Sequence, residues 1–165
     1  MSNAWVDVPA KSYQNGEWVD WWNGELYVEG NQYKALTGGW SVDKGAIQDA
    51  SIFVGYSSSV SKFTTESTHA TAIDMTDFTN LNVHFLKYSS PNTSNGFLKI
   101  IIRNEAGTTI STTSIKGGDT TASNFYGTVN VSAINVKAFV VIQVGHSSSS
   151  NNAVYATFDK VVLSK

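Results

Sequence analysis

The stretches FLKIIIR (residues 97–103) and AFVVIQV (residues 138–144) are near-continuous apolar runs, and both are rich in β-branched and aromatic residues. Each is of strand length, and turn material follows at once: NEAG (104–107) after the first, the serine run from Ser147 shortly after the second. A short apolar run bounded by turns reads as a strand with other elements on both sides. The two runs are therefore expected at the centre of a sheet. Alternation sorts their side chains. Leu98, Ile100 and Ile102 face the core, and Lys99, Ile101 and Arg103 point away; Val140, Ile142 and Val144 oppose Phe139, Val141 and Gln143.

The same texture extends outward in both directions. ELYVEG, ASIFVGYSSS, VSKFTTESTHATA, LNVHFLKYS, TTISTTSIK, NFYGTVNVS and AVYATFDKVVL are all β-branched or aromatic and of strand length. The connections SSPNTSNG, KGGD and SSSSNN carry turn chemistry, and Gly38-Gly39 allows a tight backbone turn. Closely spaced strands of this kind predict an all-β fold, an antiparallel β-sandwich of jelly-roll type. One plausible helical turn lies in IDMTDFTNL (73–81), with Asp74 or Thr76 as its cap. Residues 5–23 are aromatic, polar and unpatterned, punctuated by Pro9, Asn15-Gly16 and Asn23-Gly24. They read as an irregular N-terminal arm, so the expected division is an arm over 1–23 and a single sandwich over 24–165. Met1-Ser2-Asn3-Ala4 looks like a tag remnant, which would make the chain a piece of a longer one.

Composition narrows the function. Charged residues are 15% of the chain, against roughly 25% in ordinary globular domains. Ser, Thr, Asn and Gly take their place, which favours strands and turns over long helices. The net charge of −2 and the lack of any basic block argue against nucleic acid or an anionic membrane as partner. No apolar run approaches the roughly 20 residues of a helical membrane span, so no membrane insertion is expected. Cysteine is absent, so there is neither a disulfide framework nor a thiolate zinc site.

Candidate functional residues fall into three groups. In LNVHFLKY, Leu81, Val83 and Phe85 share one face, and Asn82, His84, Leu86 and Tyr88 the other. If the central strands are neighbours, His84, Tyr88, Lys99, Arg103 and Gln143 form one mixed outer face. Such a face suits a glycan, with aromatic rings on the sugar's C–H surface and forked donors on its hydroxyls; it also suits a plain solvated sheet. The second group is Trp18, Trp21 and Trp22, which fall within GEWVDWWNGELY (16–27). Adjacent residues of an extended segment point to opposite sides, so the three do not line one flat platform. Core cover, a glycan platform and contact with another chain all remain open for them. The glycan candidates are thus Trp21, Trp22, His84, Tyr88 and Arg103. The third group is Glu25, Glu29 and Asp159, whose oxygens could approach one another if the terminal strands are neighbours; they suit either a structural calcium ion or plain surface carboxylates, since no spaced Asp-x-Asp loop is present.

Catalytic signatures are lacking. His69, His84 and His146 show no HExxH spacing, and the GYSSS and GHSSS stretches lack a nucleophile elbow. Glu66, Asp74, Asp77 and Glu105 are not paired by anything in the sequence, as a glycosidase would need. No enzyme is expected.

The run GELYVEGNQYKALTGGWSV (24–42) resembles a recurring opening of phage and prophage tail or minor structural proteins of Gram-positive bacteria. AIDMTDFTNLNVHF (72–85) resembles a passage of the same group that precedes a central strand. YATFDKVVLSK (155–165) is similar to the closing strand of jelly-roll carbohydrate-binding modules. The resemblance implies a sandwich module on a virion or at the cell surface, extracellular, that contacts a cell-surface polysaccharide or other glycan. It also implies a calcium ion near the terminal strands. A structural module without glycan binding, assembling as a homo-oligomer or with other tail proteins through the Trp arm, is the alternative; a polysaccharide-degrading enzyme is the outlier.

Overall fold

The structure, a computed structural model, describes residues 39–48, 51–148 and 151–164 in full, and for 11–14, 17–20 and 25–27 the strand backbone only. The strands are β1 (Lys11–Gln14), β2 (Glu17–Asp20), β3 (Glu25–Tyr27), β4 (Trp40–Val42), β5 (Gly45–Ile47), β6 (Ile52–Val60) and β7 (Phe63–His69). There follow β8 (Ile73–Asp74), β9 (Asn80–Ser90), β10 (Gly96–Asn104), β11 (Thr109–Gly117), β12 (Thr120–Asn130), β13 (Lys137–His146) and β14 (Asn152–Ser164).

Two antiparallel sheets form a sandwich. One has the order β12-β9-β14-β6-β5, with β3 also on β14; the other has the order β11-β10-β13-β7-β4, with β8 also on β13. Among the eight long strands, β10 and β11 are a hairpin within one sheet, and the chain otherwise changes sheet from one long strand to the next. That interleaving is the jelly-roll arrangement. The expected all-β sandwich is thus what forms. The two apolar runs at 97–103 and 138–144 are direct neighbours, with Ile100 opposite Ile142 and Ile102 opposite Val140.

Their inward residues behave as alternation requires. Leu98, Ile100, Ile102, Val140, Ile142 and Val144 are fully buried in one core cluster with Leu81, Val83 and Phe85 of β9. Phe158 packs edge-on against Trp40 at 5.0 Å and lies 6.2 Å from Phe85, which stacks on Phe125 at 5.2 Å. Each such side chain contributes about 1.5–3 kcal/mol by leaving water. Gly127 is needed beside them, because a Cβ there would sit 3.0 Å from both Phe85 and Ile115.

Two local expectations are corrected. Over 73–78 there is no helical turn: Ile73 and Asp74 pair with β13, and the Asp74 carboxylate accepts from the Thr76 N–H at 3.0 Å. Asp77 then adopts φ 70°, which ends any helical path. The arm is not irregular throughout either. β1 and β2 pair as a two-stranded hairpin with Gln14 opposite Glu17. The residues between them are Asn15-Gly16, the pair most favoured in two-residue hairpin links.

Candidate functional site

The site begins with a crease across the β12-β9-β14 sheet. Phe85 and Tyr88 are three residues apart on β9, yet both are fully buried, which strict alternation forbids. The register explains it. Against β14, Phe85 pairs with Phe158 and Lys87 with Thr157, so Leu86 is an extra residue. On β14, Phe158 pairs with Phe85 and Lys160 with His84, so Asp159 is an extra residue there. On β12, Asn124 lies between the paired Ser123 and Phe125 and has φ 49°. Bulges re-aim the side chains around them.

Here they assemble a cluster on the outer surface of this sheet. Tyr126 is opposite His84 on β9, and the two rings lie 4.8 Å apart with 37° between their planes. The bulged Asp159 brings its carboxylate 2.6 Å from His84 Nδ1. His84 Nδ1–H therefore donates to Asp159, which fixes the orientation of the imidazole. Tyr126 is 61% exposed, a large value for an aromatic residue on a strand. Beside it Thr128 donates to the Asn82 side-chain oxygen at 2.8 Å. Further along the same sheet Phe53 and Tyr155 pack at 5.2 Å, and the Lys87 ammonium lies 5.5 Å from the Tyr155 ring centre.

The outer surface of the other sheet is different. Glu66 on β7 accepts from both terminal nitrogens of Arg103, at 2.7 and 2.6 Å, and from the Gln143 amide at 2.7 Å. The Arg103 hydrogen bond, then that of Gln143 and the guanidinium charge, hold the Glu66 carboxyl below its usual range, against a rise from burial. The same bond raises Arg103. Ile101 and Val141 point outward beside this network, yet are 5% and 0% exposed. Phe97 lies over Gly145, where a Cβ would be 2.9 Å from its ring, and Lys99 lies 4.8 Å above Phe97. On this surface Arg103, Glu66 and Gln143 are thus engaged with one another, and Ile101 and Val141 are buried.

The expected mixed face of His84, Tyr88, Lys99, Arg103 and Gln143 does not exist as one surface. Lys99, Arg103 and Gln143 share one sheet, and His84 lies on the other. Tyr88 is a core residue, turned inward by the extra residue at Leu86. Its phenol is pushed up by burial, with a smaller opposite pull from Ser90. Trp21 and Trp22 lie outside the described residues. Of the calcium candidates, Asp159 is engaged with His84; Glu25 has its backbone opposite Val162 with its side chain undescribed, and Glu29 lies outside the described residues. Among the described residues no three His, Asp or Glu side chains gather as metal ligands.

Sequence reasoning missed Tyr126, Tyr155, Phe53 and Lys87. One signal for Tyr126 was present: it alternates with Thr128 and Asn130, against Gly127 and Val129.

No family model matches the sequence, and no curated protein does. Among solved structures the chain is similar to a carbohydrate-binding module specific for non-crystalline cellulose, at 9% identity and TM-score 0.48, over 78% of this chain and 88% of that one. It is similar to a mannan-recognising carbohydrate-binding module at 12% identity and TM-score 0.47, over 84% and 94%. It is also similar to the enzymatically active domain of a tailspike protein of bacteriophage CBA120, at 15% identity and TM-score 0.44, over 82% of this chain and 20% of that one. The assignment of the jelly roll rests on the strand order itself.

Proposed function

We propose that this chain is a non-catalytic glycan-binding module, carried outside the cell on a phage tail or a related surface structure. The observation that carries the reading is the exposed Tyr126 ring, packed against a histidine that Asp159 holds in place. An aromatic face takes the C–H surface of a sugar, and the Thr128 hydroxyl beside it, which donates to Asn82, keeps an oxygen that can accept from the sugar's rim. The His84–Asp159 bond orders the platform beforehand, which lowers the entropy lost on binding.

The carboxylates support a binding role over a hydrolytic one. Glu66 and Asp159 lie on different sheets, each already engaged, and Arg103 keeps Glu66 ionised. A glycosidase pairs a carboxylate with a raised-pKa acid across one cleft. The phage setting is supported by the resemblance of residues 24–42 and 72–85 to tail proteins.

A glycan array together with whole-cell binding tests the proposal. Wild type is expected to bind at least one glycan, and Tyr126→Ala to bind at least ~10-fold more weakly, a loss of about 1.4 kcal/mol. Silence on both assays, or unchanged binding by Tyr126→Ala, overturns it.

A further inference from the structure

The hydrogen bonds beside Tyr126 decide which half of a hydrogen bond a ligand must bring. Among the described residues, Tyr126 is the aromatic side chain left exposed. Register sets its neighbours. His84 is opposite Tyr126, and Asn82 is opposite Thr128, the next residue along β12 on the same face.

Two polar atoms here are held in place, and both are acceptors. His84 gives its Nδ1–H to Asp159. The neutral imidazole then has a lone pair and no hydrogen at Nε2, the ring nitrogen farther from the backbone. Thr128 gives its one hydroxyl hydrogen to Asn82 Oδ1 at 2.8 Å, so its own oxygen is left with lone pairs. The nearby donors are turned elsewhere. Asn82 directs its amide nitrogen to Ser164 of β14, 3.3 Å away. Lys160, opposite His84 on β14, is already engaged. Asn130, two residues beyond Thr128, is folded back on Ser132. Asn124 and the Tyr126 hydroxyl are exposed and carry both a donor and an acceptor, so they favour neither kind of partner.

Resting on the glycan reading above, we infer that the platform selects a glycan whose edge carries free hydroxyl groups, and rejects the same glycan once those hydroxyls are O-acetylated, with His84 and Thr128 as the specificity-determining residues. A free hydroxyl brings the hydrogen that Nε2 and the Thr128 oxygen lack. An ester oxygen brings only lone pairs, so two acceptors face each other and each loses the water it had. A site built to bond a hydroxyl discriminates against an analogue without it. Both acceptors are fixed before binding, so the selection adds little ordering cost. On the other outer surface the Glu66 oxygens already accept from Arg103 and Gln143.

The test uses the whole chain in affinity electrophoresis and titration calorimetry at pH 8, above the usual imidazole range. The probes are O-acetylated glucomannan, xylan and alginate, each beside its alkali-deacetylated form. The expected result is binding to at least one deacetylated polymer, ~10-fold tighter than to its acetylated form, the scale of one or two neutral hydrogen bonds. Thr128→Val keeps the shape and removes the acceptor. It should weaken binding of the deacetylated form about 3–10-fold and leave that of the acetylated form unchanged. Thr128→Ser keeps the hydroxyl and should bind as wild type does, with thermal unfolding followed in both variants. The wild-type comparison of the two forms stands whether or not a variant folds. Equal or tighter binding of the acetylated forms, or the full wild-type preference in a folded Thr128→Val, overturns the hydroxyl selection and leaves the glycan reading standing. Binding to none of the polymers overturns both.

Discussion

On the outside of the β11-β10-β13-β7 sheet, Glu66 takes two nitrogens of Arg103 and the amide of Gln143, and Phe97 lies over Gly145. On the outside of the β12-β9-β14-β6 sheet, Tyr126 stands 61% exposed, with His84 and Asp159 bonded behind it. The first surface satisfies its own charged and apolar groups. The second uses its His84–Asp159 pair to hold an imidazole against an aromatic ring that stays 61% exposed. On the glycan reading proposed above, polar content does not mark the ligand face of this sandwich; what matters is whether the polar groups are already used by one another.

The comparison can be broken most severely at Tyr88. It was expected on a face and lies in the core, so Tyr88→Ala should cost about 3–5 kcal/mol, the range for emptying an aromatic core position. Denaturant unfolding measures this; a loss below ~1 kcal/mol would return Tyr88 to the surface. Opening the closed face comes next. Arg103→Ala leaves Glu66 with Gln143 alone, and both members of the pair keep about a quarter of their side-chain exposure, 28% and 26%. Solvent screening discounts the loss to about 1–2 kcal/mol. This pair also predicts a pH dependence. Glu66 is held below its ordinary value of 4.5 in the folded state. Its stabilisation is therefore complete above that value and is lost as pH falls through the lowered one. Unfolding at pH 3 and pH 7 should show a smaller acid loss in Arg103→Ala than in wild type.

Smaller effects are expected on the open face. Asp159→Asn removes the charge opposite His84 and should cost about 0.5–1 kcal/mol, since the pair is partly solvated. Glycan affinity should drop several-fold as the imidazole loses its fixed orientation, and unchanged affinity would show that the His84–Asp159 bond is not part of the platform. Tyr126→Ala should change stability by no more than about 0.5 kcal/mol, as surface changes do. A larger loss in thermal unfolding would mean that Tyr126 is a structural cover and not a platform.

Much of the fold was legible because burial imposes period two on a strand. The runs at 97–103 and 138–144 came out as neighbours with the predicted inward set. The strand boundary at Glu25 and the strands of 52–69 and 152–164 are likewise where the texture changes in the sequence. The β1–β2 hairpin was less legible, because its residues show no apolar alternation and only Asn15-Gly16 signals the turn. The site was legible in part. Of the glycan candidates, His84 lies beside the exposed Tyr126, while Arg103 is spent on Glu66. Ile101 and Val141 point outward as predicted, but their burial on that side has no local signal in the sequence.

The fold class follows from local pattern: short apolar runs, turn residues between them and few charges leave an antiparallel sandwich as the way to bury the apolar faces. Which strands share a sheet is set by contacts between distant segments, and these put His84 and Arg103 on different sheets. Those contacts also set where the alternation breaks. The extra residues at Leu86 and Asp159 are defined by the register against a neighbouring strand, which a single segment of sequence does not contain. One such residue reverses every side chain beyond it, and that reversal is what sends Tyr88 into the core and Asp159 to His84.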